Sequence, residues 1–307
     1  MNLKILITGA QGQLGRTLQQ LSPLHWTVTA LGSGQLDITD APAVRERVGA
    51  LRPDLIVNAA AYNEVDRAEQ ERERAFAVNA LGPLNLARAA NEAGARLVHV
   101  STDYVFDGRS DRPYGEQAAP NPLNAYGESK LQGEQWVLRE QPQALVVRTA
   151  WVYSAVGRNF VAAMLRAAEQ GRPVRVVDDQ TGAPTFAGDL AEAIIGLAGL
   201  SSAEEGVHPE GGIYHYSGAT ALTRHDLAHA IFETADCIRA GALAADERQP
   251  GSYLTLLSPI ASSDYPSAAV RPKYSVLDCG KMAALGFGPR PLEESLPGVV
   301  RALIARR

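Results

Sequence analysis

Cysteine is nearly absent: Cys237 and Cys279, far apart in sequence, are the two in 307 residues. A chain of this length from an oxidising compartment often carries more, so a reducing, cytoplasmic setting is expected. Basic excess is missing too. The 29 Lys and Arg against 34 Asp and Glu leave a formal net charge of −5, whereas a nucleic-acid binder advertises a basic stripe. No nucleic-acid partner is expected. Nor is there a long apolar run at the N-terminus: "MNLKILITGAQGQLG" is apolar for a few residues before Gly9, too short for a signal-peptide core or a bilayer span. No membrane is expected. Internal repeats and low-complexity tracts are also lacking. With 46% apolar and 21% charged residues, the composition excludes disordered and fibrous classes.

The length allows two domains, or one large α/β unit with an appended lobe. From residue 1 to about 153, apolar runs "KILITG", "WTVTAL", "LIVNAA", "LVHVSTDYVF" and "ALVVRTAWVY" alternate with segments of helical period. Such runs suit strands covered on both faces by the intervening helices. The helix "VNALGPLNLARAANEAG" stops near Gly94, a C-cap signal. The fold class expected is α/β: a Rossmann-like doubly wound parallel sheet over 1–153, with a smaller mixed α/β lobe for substrate over 154–307. Some of the later chain crosses back to the sheet. Within it, helical stretches such as "NFVAAMLRAAEQG" and "HDLAHAIFETA" are interleaved with short strands "PVRVV" and "IYHYSG". The segments "SSAEEGVHPEGG" and "ALAADERQPGS" read as exposed loops.

Gly9, Gly12 and Gly15 form "GAQGQLG" directly after the first strand and open a helix. Glycines there permit a tight turn, let backbone N–H groups approach a diphosphate, and let the helix press on the sheet. Gln11, Gln13 and Leu14 line the same turn. No Lys-Ser or Lys-Thr follows, so this is not a Walker loop. A turn needed only for packing is the competing explanation, but the strand before and the helix after favour dinucleotide binding. The second strand ends "ALGSGQ", with neither the acid that favours NAD nor the arginine that admits NADP. Asp37 is the nearest acidic group, and NADPH and NADH both stay open. The third strand runs into Ala59, Ala60 and Ala61, small enough for a flat ring to lie on the backbone, or equally for plain core packing.

In "NPLNAYGESKLQGEQ" Asn124 is an N-cap candidate, and Tyr126 and Lys130 share a helix face. A phenol of pKa about 10 acidifies beside an ammonium, and one unit corresponds to about 1.4 kcal/mol. Tyr126 is thus a candidate general acid. Chance pairing on an exposed helix would look the same. Against chance stands "STDYVFDG" at the carboxyl end of the fourth strand, where doubly wound sheets bind ligands.

Together these features resemble the extended short-chain dehydrogenase/reductase family. The strings "VNAAAYNEVDRAE", "STDYVFDG", "NPLNAYGESKLQGE", "RTAWVY", "DDQTGAPT" and "RPKYSVLD" are similar to its dTDP-4-dehydrorhamnose reductase branch over nearly the whole chain. The resemblance implies reduction of a C4 ketone on a dTDP-sugar by NADPH or NADH. It implies a catalytic group of Thr102 on the ketone, Tyr126 as proton donor, and Lys130 holding the nicotinamide ribose while depressing the Tyr pKa. It carries cofactor contacts onto Gly12, Gln13, Leu14, Asp37, Ile38, Ala61, Tyr62, Asn63 and Lys130. Asp103 and Trp151 match sugar-touching positions; Asn159, Phe160, Gln180 and Thr181 are weaker substrate candidates. Arg271 is the arginine fork expected for a diphosphate.

One departure concerns metal. Some members bind Mg²⁺ through glutamates at a dimer interface, where this chain has Arg16 and Thr17, and Gly188 and Asp189. No metal is expected, and the assembly is a monomer or weak homodimer. Three rivals remain. Nucleotide-sugar dehydratases and epimerases share the loop and the Tyr and Lys, but dehydratases place Asp-Glu where this chain has Asp103 and Tyr104. A non-catalytic regulatory subunit need not keep all three catalytic residues. His225 and His229 in "HDLAH" mimic a zinc-binding HExxH helix, with the shorter Asp and no third ligand.

Overall fold

In the computed structural model, residues 2–202, 209–241 and 251–306 are described. The segments "SSAEEGVHPEGG" and "ALAADERQPGS" lie largely outside them. A six-stranded parallel sheet forms the centre. Its first five strands are β1 (Lys4–Thr8), β2 (Thr27–Leu31), β3 (Leu55–Asn58), β4 (Arg96–Thr102) and β5 (Leu145–Thr149). Their order is β2-β1-β3-β4-β5, and the strand Gly212–His215 pairs in parallel with the outer edge of β5. The chain leaves β1 for β2 on one side and then crosses to β3 on the other. That reversal opens a crevice at the carboxyl ends of β1 and β3, where doubly wound sheets take their ligands.

Alternation along the strands supplies both faces. Ile5 and Ile7 of β1 point into one cluster with Leu14, Leu18, Val147 and Ile194, covered by helix α1 (Gln13–Leu21) and the helix Ala187–Ser202. Leu6, between them, points into the other with Ile56, Leu86, Leu97 and Val146. All four β3 residues and all five of β5 are buried, as expected of strands covered twice. Each fully buried aliphatic side chain contributes on the order of 1.5–3 kcal/mol. A third cluster, built on Val161, Leu165, Ile231, Phe232, Leu296 and Val300, lies in the chain that follows β5.

Two local departures from regularity position the site. The run "ALVVRTAWVY" breaks after Thr149, because Trp151 takes a left-handed φ of +48°, costly for a bulky side chain. The helix "VNALGPLNLARAANEAG" begins as a π-helical turn over Ala77–Leu81 before the α-helix Gly82–Ala93, which ends at Gly94 with φ +71°. The π turn directs Asn79 inward.

Candidate active site

The glycine turn is dictated by space. Gly9 has φ +70°, and a Cβ there would meet the Ala59 carbonyl oxygen at 2.5 Å; a Cβ on Gly15 would meet Gly9 O at 2.2 Å. The turn is therefore pressed onto the backbone that follows β3. Gly12 is the N-cap of α1 and offers no side-chain oxygen to the first helical N–H groups; no acid lies in the first turn. Such a cradle suits a dinucleotide diphosphate.

The other expected cofactor positions divide by what their side chains touch. Gln11 lies against Gly32, at the end of β2, with its Cδ 3.0 Å from where a Gly32 Cβ would be. Leu14 and Ile38 turn their side chains into the core, leaving only main chain for a ligand. Gln13 is spent on the chain that follows β5: its Oε1 accepts from Ser154 Oγ and Asn159 Nδ2, both at 2.9 Å. Asp37 accepts from the N and Oγ1 of Thr39 at 2.9 and 2.8 Å. Ala59 and Ala60 are half-buried, Ala61 and Asn63 exposed. Tyr62 is buried and donates its hydroxyl to Glu71 at 3.0 Å. Its main chain is clamped by Asn79, whose Oδ1 accepts from Tyr62 N at 2.8 Å and whose Nδ2 donates to Tyr62 O at 2.9 Å and Ser129 Oγ at 3.0 Å. Asn79 thus joins the loop after β3 to the helix of Tyr126. Sequence reasoning passed over it, although an Asn inside "FAVNALG" is a weak helix former and signals a side chain with another task.

That helix, Ala125–Glu140, starts where Asn124 Oδ1 accepts from Gly127 N at 2.8 Å. Tyr126 is half-buried, with the Thr102 side chain near its hydroxyl. Its ring meets the Tyr104 ring edge-on, with centroids 5.6 Å apart. The expected depression of its pKa is not what the protein alone produces. Burial pushes the phenol up, Thr102 opposes this, and the nearby Asp103 and Tyr104 add to it. Lys130, 2% exposed, donates its Nζ to Val100 O at 2.7 Å, and burial lowers its pKa to about 8.

Thr102 and Asp103 also differ from expectation. Thr102 Oγ1 donates to Asp103 Oδ1 at 3.0 Å, and Ser275 Oγ donates to Asp103 Oδ2 at 2.6 Å. The carboxylate is 3% exposed, with burial raising its pKa. Asp103 thus stands behind Thr102, with each of its oxygens accepting one hydrogen bond from within the protein.

A cleft of about 970 Å³ runs from Gln11, Gly12 and Gln13 past Tyr104 to Asn159, Gln180, Arg224 and Arg271. Asn159 lines it while capping the helix Phe160–Glu169, accepting from Ala162 N at 3.0 Å. Gln180 donates to Ser262 Oγ at 2.8 Å. Arg271, expected to be free for a diphosphate, instead grips Asp66 with both Nη atoms. Trp151 is half-buried, with the Arg224 guanidinium 3.5 Å from its ring centroid. Arg224 was not foreseen. It opens the helix Arg224–Gly241, and nothing in "LTRHDL" sets it apart from a surface arginine.

Among the described residues, no group of three His, Cys, Asp or Glu could hold a metal ion. His225 and His229 face acids of their own helix, Asp226 at 3.9 Å and Glu233 at 4.0 Å. Asp189 is engaged by Arg290 at 2.8 Å.

The family model described as RmlD substrate binding domain matches residues 3–304. A dTDP-4-dehydrorhamnose reductase of Mycolicibacterium smegmatis is 43% identical, covering 99% of this chain and 87% of that protein. Among solved structures, the dTDP-4-dehydrorhamnose reductase of Clostridium acetobutylicum superposes with TM-score 0.85 at 36% identity, covering 98% of this chain and 100% of that one. That of Bacillus anthracis, in complex with NADP, does so with TM-score 0.84 at 34% identity and full coverage of both. The chain belongs to the RmlD substrate-binding-domain family, whose model spans nearly all of it.

Proposed function

We propose that this chain reduces the C4 ketone of dTDP-4-dehydro-L-rhamnose to dTDP-L-rhamnose, using NADPH or NADH and a proton from Tyr126. The observation that carries this reading is the meeting of Tyr126, Thr102 and Lys130 around the carboxyl end of β4, in a chain 43% identical over 99% of its length to a dTDP-4-dehydrorhamnose reductase.

When bound, the nicotinamide cofactor supplies the hydride for C4. The turn at Gly9 and Gly12 would take the diphosphate of that cofactor, and Lys130 would hold its nicotinamide ribose. Tyr126 keeps its proton in the resting protein because burial disfavours phenolate. It therefore has one to deliver to the C4 oxygen as negative charge develops there, a step worth roughly 10²–10⁴ in rate. Thr102 stands beside the phenol, and Asp103, accepting from the Thr102 hydroxyl, fixes that side chain in turn. Tyr104 occupies the position where a dehydratase carries a glutamate. No side chain there is suited to removing a C5 proton, so net reduction is favoured over elimination.

The same reading has the protein in the cytoplasm as a monomer or weak homodimer, acting on a dTDP-sugar and needing neither nucleic acid nor membrane. Support comes from the two free cysteines and the acidic balance. Separately, no helix among the described residues is long and apolar enough to cross a membrane. The test is NADPH consumption with the keto sugar, supplied through its upstream epimerase, with product analysis. Wild-type protein should yield the 4-hydroxy sugar and Tyr126→Phe should lose at least 100-fold in kcat. Dehydration or epimerisation alone would refute the reading.

A further inference from the structure

Four arginines line the cleft, and they are not equivalent. Arg158 is paired with Glu64 at 2.6 Å, and Arg271 with Asp66 at 2.7 Å. Arg175 is exposed on the strand Val174–Val177. Arg224 is the exception: it is half-buried, and no carboxylate lies within ion-pair distance of it among the described residues. Its guanidinium carbon lies over the Trp151 ring, 3.5 Å from the centroid, and 5.5 Å from the centroid of the Phe160 ring, and Tyr104 lines the same cleft. A guanidinium carries five N–H donors, so Arg224, on the lining of the cleft and without a carboxylate partner, keeps donors for a ligand there.

The surrounding structure is arranged to hold that guanidinium. Trp151 adopts its left-handed backbone, and Gly182 leaves room for the indole, since a Cβ there would meet Trp151 Cε2 at 2.5 Å. The indole face fixes the plane of the fork by a cation–π contact. Tyr104 lines the same cleft as Arg224, and its ring is the one that meets Tyr126 edge-on.

We propose that Arg224, held on Trp151, is the residue that grips the diphosphate of the nucleotide-sugar substrate, while Arg271 is committed to Asp66. This rests on the functional reading above and names the residue that selects a nucleoside diphosphate over an uncharged ligand. The planar fork can meet two phosphoryl oxygens at once. The cleft around it carries a surplus of arginines over acids to draw the anion in.

The test is calorimetric titration of dTDP and, separately, NADPH into wild type, Arg224→Gln, Arg224→Lys and Arg271→Gln. Arg224→Gln should weaken dTDP about 10- to 100-fold, the span of a charge-assisted hydrogen bond, with NADPH affinity unchanged as the sign of an intact fold. Arg224→Lys should recover part of the loss. Arg271→Gln should cost dTDP much less than Arg224→Gln. Equal dTDP affinity in wild type and Arg224→Gln overturns the proposal while leaving the reductase reading in place. A wild-type protein that binds NADPH but no dTDP takes both down.

Discussion

Arg271 closes a two-pronged ion pair on Asp66, with Nη2 2.7 Å from Oδ2 and Nη1 3.2 Å from Oδ1. Ser267 Oγ and Ala269 N add hydrogen bonds to the same Oδ1 at 2.8 and 3.1 Å. The segment before Arg271, from the second half of the chain, is thereby tied to the short helix Val65–Ala68 that follows the β3 loop. Asn124 Nδ2, donating to Val270 O at 2.8 Å, makes a second tie to the helix of Tyr126.

This pair gives a prediction in acid. Its hydrogen bonds to Arg271 hold the Asp66 carboxyl at about 2 instead of 3.8. The folded value lies below the unfolded one, so the stabilisation is fully present above about pH 4 and is lost as pH falls through about 2. At face value the shift corresponds to about 2 kcal/mol. The Asp66 side chain is 47% exposed, and solvent screening reduces this to about 1 kcal/mol. Denaturant titration should find Asp66→Asn less stable than wild type by that amount at pH 7, with the gap closing toward pH 2. A gap independent of pH would contradict it.

Lys130 sets a limit on the alkaline side. Burial lowers its pKa to about 8, so in the free protein the ammonium is lost as pH rises through that value. A neutral amine holds a ribose and an anionic dinucleotide less well. Affinity for NADPH should weaken above about pH 8 in wild type and stay flatter in Lys130→Met. Fluorescence titration across pH 7 to 10, roughly bracketing that pKa, is the check.

Gly12 separates folding from cofactor binding. A Cβ there would stand 3.3 Å from Gly9 O, a contact a small shift relieves, whereas a Cβ on Gly9 would strike Ala59 O at 2.5 Å from a left-handed backbone. Gly12→Ala should melt close to wild type yet lose NADPH affinity by about tenfold or more, since it sits where the phosphates approach. Gly9→Ala should lose both. Thermal melts with and without NADPH distinguish them.

Beneath the site, Arg148 and Glu134 form a pair 2% exposed on both sides, with Nη2 2.7 Å from Oε2 and Nε 2.9 Å from Oε1. Glu134→Gln would leave a buried guanidinium with its charge uncompensated, at a cost of about 3–5 kcal/mol. Replacing both by apolar residues of similar volume should cost much less. Chemical denaturation of the single and double variants measures the difference.

Much of this was legible in the sequence wherever the cause is local. The glycine turn, the buried strands and the Asn124 cap each follow from a few adjacent residues. What escaped depends on partners far along the chain. "IYHYSG" reads as a short strand of the second half, and nothing local says that Gly212–His215 will lie beside β5. "ALVVRTAWVY" reads as one strand, but a left-handed Trp151 divides it. Arg271 has the chemistry of a phosphate fork; its neutralisation by Asp66 comes from 205 positions away. Arg224 shows the reverse, an ordinary arginine in sequence that gains significance from the indole beneath it.

The most direct test follows the hydride itself. With NADPH deuterated at the transferring position and the dTDP-keto sugar as partner, the product sugar should carry one deuterium, at C4, and one oxidised cofactor should accumulate per sugar formed. Unlabelled product with no net cofactor oxidation, the pattern of an enzyme that returns its hydride, would contradict a reductase.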